Sequence, residues 1–120
     1  MDTACLEHRL TDEERETFRR DGYLVVPDVL PPERLARLAE VADRVEEEGR
    51  REQELGPLDR LSVMDFIGRD DLFVELCDLP TTIAKVWDIL GWNIQIYHSH
   101  LVVTPPWEAT GERDLALSWH

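Results

Sequence analysis

Residues 93–103 read NIQIYHSHLVV, and this run limits the possible folds more than any other. It has high strand propensity and a clear period of two. Alternation sends Ile94, Ile96, His98, His100, Val102 and Thr104 to one face, and Gln95, Tyr97, Ser99, Leu101 and Val103 to the other. Pro105 and Pro106 close the run. A strand of that length needs neighbours, because unpaired backbone on an edge is a liability. The rest of the chain offers little. YLVVP, residues 23–27, reads as a brief buried strand closed by Pro27, and RLSVMDFI, residues 60–67, alternates weakly. No edge partner for the long strand is evident, so the chain is expected to be incomplete as a folding unit.

Helical signals fill most of the remainder. In LTDEERETFRRDGY a capping box is written out, with Thr11 positioned to bond the amide of Glu14 and Glu14 to reach back. This predicts a helix over Asp12 to Asp21, stopped by Gly22 in a left-handed conformation. PPERLARLAEVADRVEEEG predicts a second helix. Pro32 sits in its first turn, Leu35, Leu38, Ala42 and Val45 form its apolar stripe, and Gly49 ends it. The face bearing Glu40, Asp43, Glu46 and Glu47 is expected in solvent. REQELGPLDRL is a polar connector. Asp70 or Asp71 is placed to cap a short helix carrying Leu72, Phe73 and Leu76. Pro80 breaks it and starts another, PTTIAKVWDILG, striped by Ile83, Val86, Trp87 and Leu90 and stopped by Gly91. The predicted fold class is α+β in a single domain over residues 1–120.

Charge narrows the partners. Against 26 acidic side chains stand 13 basic ones, for a net charge of −13. Nucleic acid and anionic membrane surfaces both attract cationic patches, so neither is the expected partner. No basic stretch followed by an apolar core marks a secretory signal, and no run approaches a membrane span. Cys5 and Cys77 lie far apart and read as two thiols in a reducing compartment, so a cytoplasmic location is expected.

The chemistry concentrates in two places. His98 and His100 share a strand face, roughly 6.5–7 Å apart. Two imidazoles so placed can hold a metal, can bond a carboxylate ligand, or can be satisfied structural residues. Ser99 lies between them but faces away, which disfavours a Ser–His nucleophile. His120 follows the apolar run LALSW, after the polar loop WEATGERD. There is no phosphate-binding glycine loop, no G-x-S-x-G, no H-E-x-x-H and no C-x-x-C. The tryptophans at 87, 92, 107 and 119 read as packing residues.

Four stretches, in order, resemble the N-terminal part of the phytanoyl-CoA dioxygenase family of non-haem Fe(II), 2-oxoglutarate-dependent oxygenases. LTDEERETFRRDGYLVVPDVLPPERLARL looks like the family's opening. DLFVELCDLPTTIAKVWDILG is similar to the helical pair that follows. NIQIYHSHLVVTPP resembles the strand entering the barrel, and LSWH the start of a W-H-x-D motif. The resemblance implies a helical layer followed by the first strands of a double-stranded β-helix (a jelly-roll, cupin-like barrel), left incomplete. It implies that His120 is the first of three iron ligands, that His100 contacts 2-oxoglutarate, that His98 lines the same pocket, and that Ser62 also reaches the cosubstrate. Thr104 departs from the family, standing where other members carry a basic residue. The implied carboxylate ligand, second histidine and cosubstrate-binding arginine fall outside this sequence. The substrate is expected to be a small molecule, and the chain alone is expected to be inactive.

Two further readings stay open on the residues alone. One is a cupin-like metal site using His98, His100 and His120, which would suit Zn²⁺. The other is a non-catalytic acidic module that binds a partner chain along its exposed strand. Oligomeric state is not determined by any of these patterns.

Overall fold

The computed structural model describes residues 3–106. They form an α+β arrangement of helices and one two-stranded antiparallel sheet. A 3-10 turn at Thr3–His8 leads into α1 (Asp12–Asp21), then α2 (Pro32–Glu52) and β1 (Leu61–Met64). A second 3-10 turn at Phe66–Arg69 precedes α3 (Asp71–Val74), α4 (Pro80–Leu90) and β2 (His100–Val103).

Four of the local start and stop signals act as the sequence predicts. The Thr11–Glu14 capping box is formed in both directions. Gly22 sits at φ 80, and its N–H donates to Phe18 O at 2.9 Å. Asp70 rather than Asp71 caps α3, accepting from the Leu72 amide at 3.0 Å. Gly91 ends α4, donating to Trp87 O.

Three expectations are corrected. YLVVP is not a strand; the segment is irregular, and Tyr23 and Val25 are exposed. Its apolar run finds no second strand to complete a ladder, and propensity alone does not hold an extended chain. Gly49 does not end α2, which continues to Glu52. It is a buried contact instead: a Cβ there would lie 2.8 Å from Val63 Cγ2. The buried stripe is accordingly turned from the expected one, running through Leu38, Val45 and Gly49 while Leu35 is exposed. Third, residues 93–103 do not form one long strand. Only His100–Val103 is laddered, because β1 offers four residues to pair with.

That pairing also supplies the partner that the sequence did not reveal. Leu61 faces Val103, Ser62 faces Val102, Val63 faces Leu101 and Met64 faces His100. The inner face of the sheet packs on α2 and α3. Leu61 is fully buried there, with Val63, Leu38, Val45, Leu72 and Phe73 around it. Phe66 and Phe73 meet edge to face at 4.8 Å.

A charged clasp ties the N-terminal segment to α4. Arg9 donates from Nε and Nη2 to Asp88 Oδ1 at 2.9 and 2.6 Å, and the Leu10 amide donates to Oδ2 at 3.0 Å. Arg15 stands 3.5 Å from the same carboxylate. Lys85 Nζ donates to both oxygens of Glu14 at 2.8 and 2.7 Å. These bonds hold the Asp88 and Glu14 carboxyls below their ordinary values, through Arg9 for Asp88 and Lys85 for Glu14. Among the described residues no helix is long and apolar enough to cross a membrane.

Candidate functional site

The register of β1 and β2 builds the site. Because side chains alternate, burying Leu61 and Val63, with Val103 half-buried against them, turns Ser62, Met64 and His100 outward. Ser62 and His100 are diagonal neighbours on one face of the ladder, two pairs removed from directly opposite. Ser62 Oγ and His100 Nε2 share a hydrogen bond of 2.5 Å. The hydroxyl donates when Nε2 is bare and accepts when Nε2 carries the proton. His98 lies on the approach to β2, with its ring 6.3 Å from that of His100, and Tyr97 stands edge-on to His98 at 5.0 Å. Both histidines are exposed.

The frame under this face is tied down by groups the sequence reading did not assign. Gln53, just past α2, donates from Nε2 to the Ser62 carbonyl at 2.9 Å. Ser99 Oγ accepts from the Ile67 amide at 3.2 Å, and the Ser99 carbonyl accepts from the Asp65 amide at 2.8 Å. Ser99 thus faces away from the histidines, as alternation requires, and serves to anchor the turn after β1. Asp65 adopts φ 54 at that turn.

Three of the four site residues drawn from the sequence are therefore placed. Ser62 and His100 are in direct contact, and His98 is beside them. His120 lies outside the described residues. Among the described residues no cluster of three or more His, Cys, Asp or Glu side chains is placed to hold a metal ion. The face carries an imidazole and a hydroxyl bonded to each other, a pair that can both donate and accept hydrogen bonds.

A second feature lies beside α4. A cleft of about 610 Å³ is lined by Ile83, Trp87, Trp92, Ile94 and Ile96, together with Cys77 and Asp78. Trp87 and Trp92 meet with ring centroids 4.3 Å apart. Cys5, buried, and Cys77, exposed, both line it as free thiols. Trp92 is 73% exposed, so it is not the packing residue that the sequence suggested. A sequence signal for this wall existed: apolar residues at 83, 87, 92, 94 and 96 outnumber what one helix face can bury. The buried Asp88 had a signal too, as a lone carboxylate within an apolar helix. Comparison with protein-family models, curated proteins and solved structures gave no match.

Proposed function

We propose that this chain is the N-terminal portion of an Fe(II)/2-oxoglutarate-dependent oxygenase acting on a small molecule. In that reading the described helices form the layer behind a double-stranded β-helix, and β1 and β2 are its first strands. The observation that carries the reading is the Ser62–His100 pair, joined at 2.5 Å on the outward sheet face with His98 alongside. These donors fit a 2-oxoglutarate carboxylate, with His100 as the principal contact and Ser62 fixing its ring. His120 would bind iron. When bound, iron would activate O₂, the oxidant, and 2-oxoglutarate would supply two of the four electrons O₂ takes up as it is decarboxylated to succinate, the unactivated C–H bond supplying the other two. The protein's part is to orient His100, to hold Ser62 through Gln53, and to present the face to the pocket. The two free thiols support a reducing, cytoplasmic setting.

The test begins with the gene. The frame beyond the His120 codon should encode a carboxylate two residues on, and later a histidine and an arginine. The full-length protein should then bind 2-oxoglutarate calorimetrically and convert it to succinate. Replacing His120 with Ala should abolish bound iron, and His100→Ala should weaken 2-oxoglutarate binding by about tenfold, the loss of one good charge-assisted contact. A stop codon directly after His120, or unchanged iron content in the His120→Ala protein, would refute the assignment.

A further inference from the structure

The cleft beside α4 takes no part in the sheet face and can be read on its own lining. Its volume of about 610 Å³ lies within the range of small-molecule sites. Its walls are aliphatic and aromatic, and Asp78 is the one charged side chain among the lining residues described. Asp78 belongs to none of the ion pairs formed among the described residues. No Lys or Arg is among the described lining residues. An anionic ligand would thus meet a solvent-exposed carboxylate on a chain already at −13, and the guanidinium near this wall, Arg9, is already paired with Asp88.

A cation meets the opposite situation. Trp92, 73% exposed, offers an electron-rich indole surface, and Trp87 packs against it with ring centroids 4.3 Å apart. Trp87 already holds one cation, with the Arg9 guanidinium 5.0 Å from the ring centroid. That charge is paired with Asp88, and the Trp87 ring is taken up by Arg9 and Trp92, so a second cation would use Trp92.

We propose that this cleft binds a small lipophilic ammonium, its apolar body against Ile94 and Ile96 and its cationic head between Trp92 and Asp78. The assignment rests on the lining alone and holds whether or not the chain belongs to an oxygenase.

The test needs neither iron nor 2-oxoglutarate. Benzyltrimethylammonium, its uncharged isostere neopentylbenzene, and phenylacetate are titrated against the protein. Binding is read by tryptophan fluorescence and by protection of the exposed Cys77 thiol from iodoacetamide. The ammonium should bind about tenfold more tightly than the isostere, the combined effect of one cation–π contact and one exposed ion pair. Asp78→Asn should reduce that preference to about threefold and leave the isostere's affinity unchanged. Trp92→Leu, at an exposed position that the fold tolerates, should lower the ammonium preference as well. Equal binding of ammonium and isostere, tighter binding of phenylacetate, or no binding of any probe would each overturn the proposal.

Discussion

Gly49→Ala sets helix propensity directly against packing. In an exposed helix interior the change should stabilise by about 1 kcal/mol, because alanine loses less backbone freedom than glycine on folding. Gly49 lies within α2, yet it is buried against β1. An added Cβ would sit 2.8 Å from Val63 Cγ2 and 3.2 Å from Leu61 Cδ1. Leu61 can turn its flexible end. Val63 cannot, since its branched Cβ fixes χ1 and its strand is paired to β2. Relief therefore requires the helix and the sheet to move apart. Overpacking of this kind costs about 2–3 kcal/mol, which leaves a net loss of about 1–2 kcal/mol after the propensity gain. Urea unfolding of Gly49→Ala beside Glu47→Ala, an exposed control on the same helix, measures the difference. A stabilised Gly49→Ala protein would show that α2 and β1 do not approach as described. The same experiment bears on the candidate site, because the strand pushed outward carries Ser62 on its opposite face.

Asp88→Asn should destabilise the chain by about 2–3 kcal/mol, since a carboxylate 3% exposed loses its charge-assisted bonds to Arg9 and Leu10; an unchanged denaturation midpoint would mean the clasp is not closed in solution. Acid should weaken the same clasp. Asp88 and Glu14 both have lowered pKa values in the folded chain, so they bind protons more readily when unfolded. Their stabilisation is complete above the ordinary values of 4.5 for Glu and 3.8 for Asp, and is lost as the pH falls through the lower folded values. Denaturation midpoints measured across that window should fall more steeply for the native chain than for the Asp88→Asn, Glu14→Gln double variant. Ser99→Ala should cost about 1 kcal/mol by removing the acceptor for the Ile67 amide, and amide exchange at Ile67 should rise relative to Leu61.

What was legible in the sequence is what local chemistry decides. The capping box at Thr11 and Glu14, the left-handed Gly22, the Asp70 cap and the Pro80 start each act within a few residues. Alternation alone also set His100 and Ser99 on opposite faces, and Ser99 is turned to the Ile67 amide while His100 meets Ser62. The stripe on α2 was half right. Leu38 and Val45 are buried, but Leu35 is not, because the neighbour that selects the buried face is β1 rather than the helix's own pattern.

Tertiary structure decided the rest. Residues 93–103 carry a strand pattern throughout, yet a strand exists only where another backbone takes up its hydrogen bonds. β1 ends at Met64, so the ladder begins at His100. Gly49 has the residue type of a helix stop, yet α2 runs past it, because the close approach of Val63 makes the missing side chain a packing requirement. The Ser62–His100 contact joins residues 38 positions apart. The sequence by itself fixed which residues cap, turn and alternate, since those preferences are settled within one or two turns of chain. Only the fold fixed which of them meet, since pairing and burial depend on distant backbone that no local pattern specifies.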